Sequence, residues 1–518
     1  MDIMNTRDQI KSVIQDLTSP TGGEHSLADL KVLVQSARSD ELTALLEELN
    51  LEPLFAILSD SFIRSQPPVE TQEVIDIFSA LLNNISPNFI ASRFQRDMVI
   101  GLQAHHEAIN AIWLKALTRV LDSEVAAMNL NNSESVDEIL LNVIELLGRE
   151  STAIANLCHI ILVLFARNSS MLQHFLSAET SSKFSNVKKT NDVNKLRVLS
   201  LMVEIGTVSD ATLNLLDQAG YLSDIRGDDL SDDPLFALNI VQIMTTLASC
   251  QHGVEFLHKN NCLKNIASEI TSEDLILADI LLPGYYALFA CAGSKNPKLI
   301  GTHYRPVIER LIDVFSPDGI GSLLGSSIDV IGVLGKTVPG KNLLNSFSTF
   351  AVVLKKIGHI IATNGGDLKT RAITTLGWLL AVDEADPNGE AAILTEEWYE
   401  KLSPSRKEFT KTLVAVCRQP FLETRLAAMN VVRVMCTHMW GQKELVSIPK
   451  FLDYLLERAT EFDKAGKEAK FAIVRELVTS PFASVSINAE ARLRIRKFYK
   501  EGAFFVDTEP TVAVEGES

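Results

Sequence analysis

Along most of the chain the apolar residues fall at helical rather than strand spacing, and one seven-residue phrase keeps returning. It runs polar, apolar, apolar, two variable positions, a large apolar residue, a small residue. It reads NVIELLG from Asn142, SLMVEIG from Ser200, QIMTTLA from Gln242, YALFACA from Tyr286, DVIGVLG from Asp329, RAITTLG from Arg371 and NVVRVMC from Asn430. EVIDIFS from Glu73 fits too, whereas the region near residue 110 fits poorly. Each phrase predicts a helix with one buried stripe, and its small seventh residue lets a neighbouring helix come close. Eleven positions after several starts stands a glycine or alanine: Ala153, Ala211, Gly253, Gly340 and Gly441. Such a residue is expected to end one helix before the next begins.

From Asn142 onward successive starts are 58, 42, 44, 43, 42 and 59 residues apart. A period of 42 to 44 suits two or three helices per repeat, as in armadillo and HEAT arrays, where each repeat covers its apolar face only by stacking on the next. The pattern predicts an all-α fold, an armadillo/HEAT-like α-solenoid of stacked helical repeats. It reads as one continuous array over 1–505, clearest from about 140 to 480, with the two longer intervals as loop insertions. Residues 506–518 end in TVAVEGES and are acidic, with no large apolar residue beyond valine. They read as a disordered tail.

Composition narrows the function. Hydrophobic residues at 46% and charged residues at 22% permit a large core, and only 7% aromatics favours helix over sheet. The net charge of −17 argues against a nucleic-acid partner, which calls for a basic face, and against docking on anionic membranes. The six cysteines stand singly with no C-x-x-C, the pattern of a reduced compartment. The start, MDIMNTRDQIKSVIQDL, is too polar for a signal peptide. The longest apolar run, 153–166, contains Asn156 and His159 and is too short to span a bilayer. A cytoplasmic or nuclear location follows as the expectation.

Three stretches imitate chemistry. Gly335–Asn342 reads GKTVPGKN, one residue short of a phosphate loop, and WLLAVDE follows with Asp383 and Glu384. A phosphate loop needs a preceding strand and a Ser or Thr for magnesium. Here Asn342 holds that position, Pro339 removes an amide, and GVLG shares its phase with ELLG, VEIG and TTLG elsewhere. Helix ends explain both segments better than a nucleotide site. DGIGSLLG, 318–325, imitates a dinucleotide turn with its third glycine one position late. Cys250, His252, His258 and Cys262 have zinc-like chemistry at a spacing that matches no standard site. No catalytic, cofactor-binding or metal-binding residue is assigned.

One charged segment points to a partner. In FDKAGKEAKFAIVREL, 462–477, Lys464, Lys467 and Lys470 recur every three residues beside Asp463 and Glu468, a stripe that drifts slowly around a helix. On an acidic chain this predicts a basic docking stripe, with Lys369 and Arg371 as further contacts. The plain alternative is a solvated face.

The same segment, with LEPLFAIL (51–58), LPGYYALF (282–289), IDVIGVLGKTVPGKNLL (328–344), KKIGHIIATNGGDLKTRAI (355–373), RLRIRKFYKEGAFFV (492–506) and the ending TVAVEGES, resembles the proteasome non-ATPase regulatory subunit 5 family. The likeness runs over nearly the whole chain from about residue 50. It implies an armadillo/HEAT-like solenoid that is not an enzyme. It further implies an assembly chaperone of the 26S proteasome regulatory particle. Such a chaperone would bind the carboxy-terminal domain of one base ATPase subunit, within a module with its neighbours, and hinder docking on the proteolytic core. Two rivals differ in kind. One is a different armadillo-type protein-binding adaptor, such as a nuclear import receptor, which would repeat Trp and Asn on its concave face, but Trp113, Trp378, Trp398 and Trp440 do not follow the repeat. A nucleotide-binding protein would use Gly335–Asn342.

Overall fold

The computed structural model describes residues 6–18, 27–37, 39–49, 54, 68–226, 233–272, 278–382 and 389–505. Every regular element among them is helical. By internal packing the chain divides into two compact units, Met1–Gly227 and Asp228–Ser518.

In the first unit four long helices form a row, each packed on the next: α1 (Pro68–Asn84), α2 (Glu107–Asp122), α3 (Thr152–Arg167) and α4 (Asp192–Gly206). The second unit has a longer row of the same kind. It runs α5 (Pro234–Leu247), α6 (Ala278–Lys295), α7 (Leu324–Leu334), α8 (Gly366–Leu380), α9 (Leu422–Thr437) and α10 (Lys464–Thr479), closed by α11 (Ala489–Glu501) on α10. Shorter helices connect one row helix to the next, so each repeat is an armadillo-like helical triplet of the α-solenoid class.

Sequence sets where these helices start. Asp233 accepts a hydrogen bond from the Leu235 amide at 2.9 Å and Pro234 opens α5. Asp463 accepts from the Gly466 amide at 2.6 Å, and Asn488 accepts from the Ala491 amide at 2.8 Å. The phrases from Ser200, Gln242, Tyr286, Asp329, Arg371 and Asn430 lie on α4 to α9, and that from Glu73 lies on α1. Their apolar positions, such as Ile331 and Leu334 on α7 and Ile373 and Leu376 on α8, are buried between row helices and the connecting layer. Each such side chain contributes roughly 2 kcal/mol.

Buried and half-buried polar side chains pin helix ends that would otherwise leave carbonyls unpaired. Asn110 on α2 donates to the carbonyls of Gly101 at 2.8 Å and Leu102 at 3.0 Å. Asn194 on α4 donates to Gly148 O at 2.9 Å, and Arg197 donates to Arg149 O at 2.7 Å. In the second unit Gln442 donates to Cys436 O at 2.7 Å.

Three expectations change. The phrase at Asn142 lies on Val136–Leu147, a connecting helix and not a row helix, so the 58-residue interval to Ser200 is a change of helix and not an insertion. Between Arg371 and Asn430 the extra length lies in the connection after α8 and in the 12-residue helix Glu390–Lys401. Gly253, Gly340 and Gly441 do not end helices. Each sits in the first turn of the following helix, beneath the last turn of the row helix before it. A Cβ would lie 1.9 Å from Leu247 O, 1.8 Å from Leu334 O and 2.1 Å from Met435 O, respectively. Glycine here permits a backbone-to-backbone corner. The expected tail, 506–518, lies outside the described residues, as do Asp383 and Glu384.

Candidate partner-binding site

The lysine stripe starts at the N-terminus of α10 and turns inward. At about 100° per residue, steps of three carry it roughly 120° around the helix in six residues. Lys464 is 77% exposed and 3.7 Å from Glu468, and Lys467 is half-buried. Lys470 is only 3% exposed. Its amine donates to Glu457 O at 2.7 Å and Thr460 Oγ1 at 2.5 Å, and lies 4.3 Å from the centre of the Tyr454 ring. Lys470 is therefore part of the core and is corrected out of the exposed stripe. Lys369 is likewise 7% exposed, and burial holds its amine below the usual lysine value. Arg371 stays half-exposed, held by Asp367 at 2.6 Å and Asp329 at 2.5 Å. In the row, α9 stands between Arg371 on α8 and the lysines on α10, so the five residues form no single cluster.

Around Lys470 lies a buried polar knot. Glu461 is almost fully buried, and burial pushes its carboxyl above the usual range against the opposing pull of Arg425 and Lys470. Arg425 on α9 reaches Glu461 at 3.3 Å and Asp463 at 2.5 Å. The Tyr454 hydroxyl donates to Cys417 O at 2.8 Å, and the Arg418 guanidinium lies 4.5 Å from the Tyr454 ring centre. Burial lowers the Lys470 amine from the ordinary 10.5 to about 8. Below pH 8 folded and unfolded chains are both protonated there, and the cost of burying the charge is present in full. Between 8 and 10.5 the folded chain has released a proton that the unfolded chain still holds, so this residue's contribution to stability rises with pH. Urea midpoints of the wild-type and Lys470→Met chains should therefore diverge in favour of wild type across that window. Parallel pH curves would show an ordinary lysine.

What the sequence did not reveal is an aromatic edge beside exposed Lys464 and half-buried Lys467. Phe462 is 91% exposed and Phe421 is 70% exposed. Phe421 precedes α9 and its carbonyl accepts from the Arg425 amide at 2.9 Å. Phe462 lies between Glu461 and Asp463, the two carboxylates that Arg425 holds. Both rings thus stand at the same end of neighbouring row helices, with Leu422 exposed beside them. A signal for Phe462 exists in hindsight. An apolar residue just before an N-cap normally packs on the fourth helical residue, and here that residue is Lys467.

The imitation motifs resolve into packing. Lys341 is fully buried, donating to Gly335 O at 2.5 Å and Trp378 O at 3.0 Å, so it caps helix ends instead of facing a phosphate. Gly332 and Gly335 leave room for Trp378 and Leu379 of α8, whose atoms would lie 2.5 Å and 2.3 Å from an added Cβ. His252 Nε2 approaches Cys250 Sγ at 3.3 Å, whereas His258 Nδ1 bonds the Tyr304 hydroxyl at 2.7 Å. Among the described residues no group of three or more His, Cys, Asp or Glu side chains is placed to hold a metal ion. No single described helix is long and apolar enough to cross a membrane.

Comparison with known proteins gives this geometry a family. A sequence profile described as "Proteasome non-ATPase 26S subunit" matches residues 6–518. The chain belongs to this family. It is similar to the 26S proteasome non-ATPase regulatory subunit 5 of Bos taurus, 26% identical over 511 residues, 98% of this chain and 99% of that protein. Similarity to the Homo sapiens protein of the same name is also 26%, covering 95% and 97%. The Drosophila melanogaster protein is 23% identical over 80% of this chain and 79% of its own length. Among solved structures, yeast importin-β (Kap95p) is similar with a TM-score of 0.59 at 13% identity, over 92% of this chain and 59% of that one. Importin-β crystallised from ammonium sulfate gives 0.52 at 11%, over 96% and 62%. The chain thus spans about three fifths of these importins, and the likeness carries the α-solenoid fold alone. In this proteasome family member, then, the edge formed by exposed Phe421, Phe462 and Lys464 with half-buried Lys467 is a candidate surface, and the buried knot around Lys470 is its support.

Proposed function

We propose that this chain is a non-catalytic chaperone for assembly of the 26S proteasome regulatory-particle base. It holds the carboxy-terminal domain of one ATPase subunit, together with that subunit's module partners, and hinders premature docking on the proteolytic core. The observation that carries this reading is the end-to-end similarity to proteins named 26S proteasome non-ATPase regulatory subunit 5. Rows of rigid helices hold a partner without chemistry, and a partner that must leave suits a moderate, partly polar interface. The contact assigned in this reading is the edge of Phe421, Phe462, Lys464 and Lys467, with Arg371 further along the row. The site of action is the cytoplasm.

The test is affinity purification of the tagged chain from cytosolic extract with native mass spectrometry. Base ATPase subunits without the proteolytic core are the expected result, and stoichiometric core particles would overturn the chaperone reading. Exposed aromatic anchors dominate such interfaces. The Phe421→Ala, Phe462→Ala double variant should recover at least about tenfold less ATPase, with an unchanged melting curve. Undiminished recovery would move the contact elsewhere.

A further inference from the structure

The last repeat leaves a half-open pocket of about 120 Å³ between the end of α10 and the face of α11. Its lining includes Arg492 and Arg496 from α11, Ser480, and the apolar side chains of Leu477, Ile487 and Ile495. The arginines are four residues apart, side by side on one helix face, where like charges repel.

Neighbouring arginines are matched with acids: Arg433 with Glu476 at 3.3 Å, Arg458 with Glu501 at 3.0 Å and Arg494 with Asp453 at 2.8 Å. Arg492 and Arg496 have no carboxylate partner among the described residues, and Arg492 Nε is buried without any hydrogen bond. Ser480 Oγ already accepts from Gln442 Nε2 at 2.6 Å and from the Phe482 amide at 3.1 Å, which leaves its hydroxyl proton to donate. The pocket thus presents two guanidinium groups and a hydroxyl donor beside the carbonyl end of α10, against an apolar wall.

We infer that this cavity is a carboxylate-binding site, and that its occupant is an acidic peptide segment of a partner protein. A volume of about 120 Å³ holds roughly four waters, which is also room for a carboxylate with one or two methylenes. A guanidinium pair binds carboxylate in forked geometry, and Leu477, Ile487 and Ile495 take the aliphatic stem. Location favours the same occupant. α11 carries Arg492, Arg494, Arg496, Lys497 and Lys500 against Glu490 and Glu501, on a chain of net charge −17. An acidic segment repelled elsewhere is steered to this helix. The inference stands apart from the proteasome reading, since it concerns ligand chemistry and not the identity of the partner.

Three fluorescein-labelled peptides test it by polarisation on the full-length chain: an amidated Gly-Leu-Glu-Leu, its Gln analogue, and Gly-Ala-Leu-Leu with a free carboxy-terminus. Saturable binding of the Glu peptide or of the free terminus, with the Gln analogue at least about tenfold weaker, is expected and tells side-chain from terminal carboxylate. An Arg492→Gln, Arg496→Gln chain should lose that binding, whereas a Lys401→Gln, Lys407→Gln chain of equal charge, altered at exposed residues outside the pocket, should keep it. Equal losses in both chains would reduce the effect to net charge and overturn the site, as would equal binding of all three peptides. If the Arg variant melts early, Arg496→Lys, which keeps the charge and loses the fork, should still weaken the Glu peptide. Binding seen only after Asp507→Asn, Glu509→Gln, Glu515→Gln and Glu517→Gln would assign the cavity to the chain's own ending and overturn a partner.

Discussion

Gly340→Ala is expected to destabilise the second unit by about 3 kcal/mol, the upper range for overpacking a well-filled site. The new methyl would lie 1.8 Å from Leu334 O, 3.0 Å from Leu334 C and 3.1 Å from Thr337 Oγ1. Two of these three atoms are backbone, so no rotamer change relieves the clash. Either the last turn of α7 moves or the helix Val338–Asn345 lifts away, and both take Leu344 out of the core. Gly441→Ala repeats the experiment one corner further along, with Met435 O at 2.1 Å. Gly321→Ala is the control, because nothing lies within 4 Å of its added Cβ, and its change should stay within about 0.5 kcal/mol. Thermal melting of the three variants decides the matter. A Gly340→Ala chain that melts with the Gly321→Ala chain would refute the corner.

The same glycines show what was legible in the sequence. Period and helical phase were readable because each row helix repeats one packing problem, and a repeated problem leaves a repeated phrase. Hence α4 to α9 fall where the phrases stand. The role of Gly253, Gly340 and Gly441 was misassigned because a C-terminal stop and a crowded first turn call for the same residue at nearly the same place. The copy at Asn142 misled for a related reason. Val136–Leu147 buries residues on two sides, so it carries the row-helix phrase without being in the row. The site was less legible. Spacing showed that Lys464, Lys467 and Lys470 share a drifting stripe, but which end of the stripe faces Tyr454 depends on a repeat packed around it. Phe421 and Phe462 look in sequence like ordinary core aromatics, and only the neighbouring helices decide that they stay outside.

Lys470→Glu should then cost about 3–5 kcal/mol, the range for breaking a buried charged pair, while Lys464→Glu with Lys467→Glu leaves the melting curve unchanged. The amine of Lys470 satisfies Glu457 O and Thr460 Oγ1, and faces Tyr454. A carboxylate there would remove the donor that Glu457 O and Thr460 Oγ1 share and stand near Glu461, whose own carboxyl burial already disfavours in its charged form. Arg425 would be the remaining cation tying Glu461 to α9. Repulsion between Glu461 and the new carboxylate would work against that tie and loosen the α9–α10 junction, on whose outer edge Phe421 and Phe462 stand. Binding and stability are therefore separable only for part of the stripe. A variant of all three lysines would lose a partner through unfolding, and its failure would say nothing about contact. The pair Lys464→Glu, Lys467→Glu isolates the surface, and Lys470→Met, which keeps the stem without the charge, isolates the support. Reduced ATPase recovery with the first at full melting temperature would place the partner on this edge. Equal recovery with the first and reduced recovery only with the second would make the C-terminal repeats a scaffold for a contact made elsewhere in the row.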